Sequence, residues 1–237
     1  MNLSAHQPNF FPWLGYFVKV AISDIHVILD DVEFSKNNWI NRNIIDTGKE
    51  SYLTIPVSKS DTSKPINQVR LGQEYKFSIN KIIKTLDYQY KKSDSLTFIK
   101  DLLCESKDKN FIFLSELNLF YLTNVFKFFE ISTSISKKSD LNLGTNLNPS
   151  TLLSELCKKY ECSNYISGVG SKSYIDESQF ISRQISVTYT EDLPSLFEKY
   201  NLNKNSIIQL ICDEQFDLKS KFPTLVNDYK KNYLHKK

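Results

Sequence analysis

The chain has 237 residues, 41% of them hydrophobic and 13% aromatic, which is enough to bury a sizeable core. Charged residues nearly cancel to a net charge of +3, so no global basic field would draw the protein to DNA or to an anionic membrane. The amino terminus lacks a signal-peptide pattern and the most apolar run is broken by polar residues, so we expect a cytoplasmic protein with no membrane insertion. The four cysteines form no CxxC or zinc pattern, so we expect reduced thiols and no metal site.

The opening stretch, residues 6–42, predicts a first βαβ unit. An aromatic turn at residues 10–13 precedes a short apolar helix at 17–22, and a buried strand follows at 24–29. Polar side chains stand before the helix and after the strand. In open α/β sheets, ligands bind outside the carboxyl ends of the strands, so these polar groups predict a site at that edge.

Alternating strands and helices continue along the chain. Strands are predicted at residues 52–57, 67–71, 132–136, 162–167 and 185–189, and helices at 77–90, 95–104, 111–129, 149–160 and 206–212. The alternation predicts an α/β fold with a mainly parallel, Rossmann-like sheet flanked by helices and a helical middle segment at about 77–130. Because no long linker interrupts it, we expect a single α/β domain over residues 1–230, with a basic tail at 231–237.

His6 is the candidate catalytic histidine, since imidazole titrates near neutrality and its neighbours Gln7 and Asn9 suit a site better than a core. A hydrogen-bonded structural histidine is the competing interpretation. His26 lies inside an apolar strand and is expected to be structural. His235 stands in the tail and is given no role.

Asp30 and Asp31 end the strand of the opening unit, and either could accept a proton, bind an amine or hold Mg²⁺ on a phosphate. A turn aspartate explains each equally well. The loop that follows carries donors that could clamp a phosphate or carboxylate and an aromatic ring that could stack on a sugar or base. These loop residues are Lys36, Trp39, Asn41 and Arg42.

A short glycine-rich segment, Gly168-Val169-Gly170-Ser171-Lys172, follows a predicted strand and is too short for a Walker loop. Its backbone N–H groups and the Lys172 ammonium could meet an anion, although a tight turn explains the composition as well. No GxSxG, HExxH or spaced Ser/His/Asp set occurs in the sequence.

The sequences HQPNFFPWLGYF and LDDVEFSKNNWINRN closely resemble the opening of the WbqC-like proteins, and SYLTIPV and NYISGVGSKSYID extend the resemblance along most of the chain. The opening unit also resembles the first βαβ unit of nucleotidylyltransferase-like folds. Gly15 fits the glycine of their His-x-Gly-His turn, but Trp13 and Tyr16 replace the histidines, so histidine-assisted nucleotidyl chemistry is not expected. Tyr16 remains a candidate substrate contact.

The WbqC-like resemblance implies transfer of an acyl or aminoacyl group, glycyl in particular, to a nucleotide-linked amino sugar for surface polysaccharide such as O-antigen. Under this hypothesis His6 or Asp30 is the base, Asn9 and Gln7 contact the oxyanion or the acyl donor, and Lys36, Arg42 and Lys172 hold phosphate. An aminoacyl-tRNA or an acyl carrier could supply the activated acyl group. The alternatives are ATP-dependent amino-acid activation, which would use Mg²⁺, and non-catalytic binding of a nucleotide sugar.

Overall fold

The computed structural model describes residues 1–36, 38–91, 93–144, 147–202, 206–213 and 217–234. Within these ranges the strands are β1 (Asn2–His6), β2 (Ile25–Ile28), β3 (Arg42–Asp46), β4 (Glu50–Thr54), β5 (Ser134–Lys137), β6 (Asn164–Ser167) and β7 (Ser186–Tyr189). The helices are α1 (Leu14–Ala21), α2 (Tyr75–Gln89), α3 (Leu96–Asp108), α4 (Leu114–Phe128), α5 (Pro149–Lys159), α6 (Ser178–Ile181), α7 (Leu193–Lys199), α8 (Ile207–Ile211) and α9 (Leu218–Tyr229). His235 and the end of the predicted tail lie outside the described residues.

Five strands form a parallel sheet in the order β5-β2-β1-β6-β7. The central strand β1 pairs on one side with β2, where Leu3 lies opposite Ile25, and on the other with β6, where Leu3 lies opposite Tyr165. Along the chain, β2 and β5 are added on one side of β1, and β6 and β7 are then added on its other side. The predicted Rossmann-like α/β fold is confirmed, and the strand order reverses between β1 and β6.

Both faces of the sheet are buried, because successive strand residues point to opposite sides. On one face, Leu3 and Val27 pack with α5 and α6 in a cluster that includes Leu156 and Phe180. On the other face, Ile28 and the side chains of α1 belong to the main core. Helix α1 therefore covers the face opposite α5 and α6, as the crossover connections of a doubly wound sheet require.

The helical middle segment forms as predicted, as α2, α3 and α4. Their apolar residues recur at helical spacing, and Ile79, Leu103 and Leu117 are fully buried in the main core. Helix α4 packs on α1 through aromatic side chains, with 5.8 Å between the ring centroids of Phe17 and Phe126. Among the described residues, no helix has the length and apolar character needed to cross a membrane.

Three parts of the chain differ from the prediction. Residues 42–46 form strand β3, which pairs antiparallel with β4 through a turn at Gly48, where φ is +87°. Residues 66–68 form a 3-10 helix where a strand was considered. The weakly patterned carboxyl end forms helix α9, whose Phe222 stacks on Phe129 with ring centroids 4.3 Å apart.

Candidate functional site

A crevice of 510 Å³ opens at the carboxyl ends of β1 and β6, where the strand order reverses. Open α/β sheets bind ligands at this position, because the connecting helices leave in opposite directions and part the loops above the sheet. A larger depression of 680 Å³ also exists, but it is formed by residues 56–59 and 70–74, and none of its lining residues belongs to the parallel sheet. The crevice at the strand-order reversal is therefore the candidate site.

The aromatic turn at one side of the crevice is held in place by two buried amides. Asn118 of α4 donates from Nδ2 to the carbonyl oxygens of Pro8 and Ile40, at 2.7 Å each. Asn43 of β3 donates to the carbonyl oxygens of Phe10 and Phe11. These bonds fix the turn even though Phe11 has a φ of 44°, a conformation that a bulky residue rarely adopts.

His6 ends β1 and lines the crevice half-buried. Its Nδ1 lies 3.1 Å from the carbonyl oxygen of Gln7, which can only accept, so Nδ1 carries the proton and Nε2 of the neutral ring is an acceptor. Edge-to-face contacts with Trp13 and Tyr16, at centroid distances of 5.6 and 5.1 Å, fix the ring plane. Burial, together with the charge of Lys19, lowers the pKa of His6 to about 3, so the ring is neutral at pH 7.

Among the described residues that line the crevice, Lys19 is the one with a cationic side chain, and it was not among the predicted site residues. Its side chain is 5% exposed, lines the crevice from α1 and donates from Nζ to the carbonyl oxygen of Ala5 at 3.1 Å. No carboxylate of the described residues lies within ion-pair distance of its ammonium. Burial lowers the pKa of Lys19 to about 7. A lone lysine in the apolar run LGYFVKVA was the available signal.

A buried polar relay lies under α1 beside His6 and Lys19. The imidazole of His26 has Ser4 Oγ 2.8 Å from Nδ1 and Tyr16 Oη 3.2 Å from Nε2. Ser23 Oγ lies 2.8 Å from Ser4 Oγ and also 2.8 Å from the carbonyl oxygen of Lys19. Burial keeps the pKa of His26 well below its ordinary value and raises that of Tyr16. This relay ties the position of Tyr16, which touches His6, to the centre of the sheet.

The glycine-rich segment after β6 forms the opposite wall. Gly168, Gly170 and Ser171 all line the crevice, and Ser171 Oγ donates to the carbonyl oxygen of Gly168 at 2.7 Å. Because that bond uses the only proton of Ser171, Ser167 donates to Ser171 Oγ across 2.5 Å. Lys172 points elsewhere, pairing with Glu191 and lying 5.0 Å from the ring centroid of Tyr189.

The two aspartates after β2 are engaged by the segment after β5. Asp30 is buried and accepts hydrogen bonds from Ser139 N at 3.0 Å and Ser139 Oγ at 2.6 Å. Asp31 forms an ion pair with Lys138 at 2.6 Å. Within the described parts of the chain, no three His, Cys, Asp or Glu side chains converge as metal ligands.

The remaining predicted residues lie outside the crevice. Lys36, Asn41 and Arg42 line a separate depression of 350 Å³ beside the β3–β4 hairpin. There Asn41 donates to the carbonyl oxygen of Ile55 at 2.9 Å, and the Arg42 guanidinium lies 4.7 Å from the ring centroid of Tyr52. Trp39 is 40% exposed and Asn9 is buried, and neither lines the crevice. Of the predicted set, the crevice brings together His6, Gly168, Gly170 and Ser171, and it adds Trp13, Gly15, Lys19 and Ser167.

Comparison with known proteins gives one family. A model of the WbqC-like protein family matches residues 7–210, which include the crevice residues from Trp13 to Phe197 and begin one residue after His6. The chain is 30% identical over 190 residues to the uncharacterized protein Rv1507c of Mycobacterium tuberculosis (strain ATCC 25618 / H37Rv), and the alignment covers 77% of this chain and 79% of that protein. No solved structure matched.

Proposed function

Because the chain belongs to the WbqC-like protein family, we propose that its crevice is the active site of an enzyme that transfers an acyl or aminoacyl group, such as glycyl, to the amine of a nucleotide-linked amino sugar. The product would enter surface-polysaccharide synthesis, such as that of O-antigen. One observation carries the proposal: a neutral histidine, whose Nδ1 is engaged by a carbonyl oxygen, lines a crevice at the position where α/β sheets bind ligands.

Aminolysis requires a proton acceptor beside the attacking amine, and His6 can fill this role. The sugar amine must be neutral to attack the acyl carbon, and it must lose a further proton as the new amide bond forms. The bond from the acyl carbon to the ester oxygen or thioester sulfur of the donor breaks in the same reaction, and the leaving oxygen or sulfur takes up a proton. Nε2 of His6 is the acceptor for that proton, and the Nδ1–H bond to Gln7 keeps the ring in the tautomer that leaves Nε2 free. The pKa of about 3 belongs to the crevice without substrate, and an anionic substrate beside the ring would raise it.

The acyl oxygen becomes an oxyanion during the attack, so the site needs donors or positive charge beside it. Lys19 lines the crevice together with His6, and its charge lowers the pKa of that histidine. We therefore assign it, rather than the buried Asn9, to anionic groups of the reactants. Lys36 and Arg42 lie in their own depression and would reach a substrate only if it extended from one cavity to the other.

The alternative of ATP-dependent amino-acid activation would require Asp30 or Asp31 to hold Mg²⁺ on a phosphate. Both oxygens of Asp30 accept hydrogen bonds from Ser139, and Asp31 pairs with Lys138 through Oδ2, while its buried Oδ1 has no hydrogen-bond partner among the described residues. A metal ion on Asp30 would have to displace Ser139, and one on Asp31 would be repelled by the Lys138 ammonium. The remaining alternative is a protein that binds a nucleotide sugar without turnover. It would use the same crevice, and a transfer assay distinguishes it from the enzyme.

The test is a transfer assay read by mass spectrometry, in which nucleotide-linked amino sugars are offered with aminoacyl-tRNA or acyl-carrier donors. His6→Asn is the informative variant, because an asparagine amide can keep the bond to Gln7 but cannot accept the proton. We expect it to lower kcat by about a hundredfold or more while binding changes little. His235→Asn, the same substitution at a histidine that is given no role in the site, is the matched control and should keep full activity.

Other outcomes would replace the proposal. Nucleotide-sugar binding that is unchanged in His6→Asn, with no transfer by the wild type from any donor, would identify a binding protein. Magnesium-dependent release of pyrophosphate from ATP with an amino acid would identify an activating enzyme.

A further inference from the structure

We propose that the inner end of the crevice is a subsite for a phosphoryl group, with the Lys19 ammonium as its charged ligand. This inference rests on the proposed function in taking the crevice as the substrate site, and it names the part of the substrate that Lys19 binds. The nucleotide-linked sugar would place a phosphate there.

Among the described residues, the Lys19 ammonium has no carboxylate partner. A buried ammonium loses its hydration and is stable only when another group replaces it. Lys19 has one carbonyl acceptor, Ala5, for its three N–H donors, and no carboxylate of the described residues pairs with it. An oxyanion in the crevice would complete both its hydrogen bonding and its charge.

The charges around Lys19 also favour an anionic ligand. The titratable side chains that interact with the Lys19 charge are His6 of β1 and His26 of β2, and its charge lowers the pKa of each. Both histidines are neutral at pH 7, so the positive potential of the inner crevice comes from Lys19, and no carboxylate of the described residues pairs with it. Such a site discriminates against cationic ligands and in favour of anionic ones.

The wall of the crevice formed by Gly168 and Gly170 leaves free space for a ligand. An added Cβ at Gly168 or Gly170 would meet no protein atom within 4 Å, and neither residue has a left-handed φ. Neither packing nor backbone conformation of the protein therefore demands glycine at these positions. Glycines lining a crevice allow the backbone to approach a ligand closely, as the glycine-rich turns of phosphate-binding α/β proteins do.

Sulfate is the probe for the test, because it has the shape and charge of a phosphoryl group and takes up no proton between pH 6 and 10. The wild type would be titrated at pH 8 and constant ionic strength, and the Lys19 pKa would be followed by NMR of ¹³C-lysine-labelled protein. We expect sulfate to bind and to raise the pKa of Lys19 from about 7, so that binding takes up protons. Acetate, run in parallel, tests whether a carboxylate serves instead of a tetrahedral oxyanion.

Lys19→Met is the variant and Lys172→Met the matched control, since Lys172 lies on the same loop as the glycines but pairs with Glu191. We expect Lys19→Met to weaken sulfate binding by about tenfold to a hundredfold and to abolish proton uptake, while Lys172→Met behaves like wild type. Equal sulfate binding by wild type and Lys19→Met, or a Lys19 pKa that sulfate does not move, would overturn the inference. Tighter binding of acetate than of sulfate would overturn its phosphoryl assignment.

The two proposals fail separately. If sulfate binds through Lys19 and no acyl transfer occurs with any donor, the phosphoryl subsite stands and the transferase does not. If transfer depends on His6 and is unchanged in Lys19→Met, the transferase stands and the subsite does not.

Discussion

The indole of Trp13 lies so close to Gly15 that a Cβ added at the glycine would come within 2.7 Å of Nε1. Trp13 in turn contacts the ring of His6 edge-to-face. Glycine inside a helix is unfavourable by roughly 0.5–1 kcal/mol relative to alanine, so its presence in the first turn of α1 calls for a local reason. Gly15 provides the space in which Trp13 forms one wall of the crevice and orients His6.

Replacing Gly15 with alanine should therefore disturb the crevice. The indole must move, and overpacking of this kind costs about 1–3 kcal/mol, which exceeds the gain in helix propensity. We expect a lower free energy of unfolding in urea and a shifted tryptophan emission spectrum, measured in a Trp39→Phe background where Trp13 is the single tryptophan. An unchanged spectrum with raised stability would show that Trp13 does not depend on Gly15.

Gly170→Ala should leave the stability unchanged and weaken ligand binding. The added methyl group meets no protein atom within 4 Å, so the free energy of unfolding should stay within about 0.5 kcal/mol of wild type. The methyl occupies ligand space, and we expect weaker binding of nucleotide-linked sugar and of sulfate in titrations of the folded variant. Gly144→Ala, whose new Cβ would make ordinary contact with Leu147 outside the crevice, is the control and should bind normally. Normal binding by Gly170→Ala would place the ligand away from this wall.

Much of the fold could be predicted because its long helices and parallel strands have strong apolar periodicity. The hairpin strand β3 was missed, since Arg42–Asp46 is only partly buried and its pairing with β4 depends on a turn whose single special residue is Gly48. Helix α9 was missed as well. It contains Pro223, which ordinarily argues against a helix, and it is stabilised by packing of Phe222 on Phe129, a contact between segments far apart in sequence.

The site was predictable only in part, because some of its residues come together through packing between distant segments of the chain. His6 and the glycine-rich segment could be chosen because polar groups and glycines follow strands, and adjacent parallel strands bring them together. Lys19 could not be ranked above other lysines, because its burial results from the packing of α1 on the sheet. Arg42 and Lys36 have the composition of ligand-binding residues, but the β3–β4 hairpin places them in a different depression.

Acid should destabilise the protein through His26. In the folded state its pKa lies well below the ordinary value of 6.5, whereas in the unfolded chain it returns to that value. Below pH 6.5 the unfolded state therefore binds a proton that the folded state does not, and the free energy of unfolding falls as the pH falls. We expect urea denaturation between pH 6.5 and 5 to show this loss, with a slope of up to about 1.4 kcal/mol per pH unit for each buried histidine. His26→Gln should reduce the slope, and His6→Asn combined with it should reduce it further; a double variant with the wild-type slope would contradict the assignment.

Lys19 should make the folded protein less stable than it could be, and the pH dependence should reveal this. Its pKa is about 7 in the folded state and 10.5 in the unfolded chain, so between these values only the unfolded state holds the proton. The contribution of Lys19 to the free energy of unfolding should therefore rise with pH from 7 upward. Below pH 7 both states are charged and the full penalty, about 5 kcal/mol at 1.36 kcal/mol per pKa unit, is present.

Lys19→Met removes the charge while keeping a flexible side chain of similar length, and it leaves the Ala5 carbonyl without its donor, at a cost of about 1 kcal/mol. We expect the variant to be more stable than wild type at pH 7, by an amount that shrinks steadily in urea denaturation between pH 7 and 9.5. That range stays below the titration of exposed tyrosines. The comparison uses ligand-free protein, because an anion bound to Lys19 would offset the penalty in the wild type alone. A variant less stable than wild type at every pH would mean that the ammonium is a structural group, stabilised by Ala5, rather than a charge held ready for a ligand.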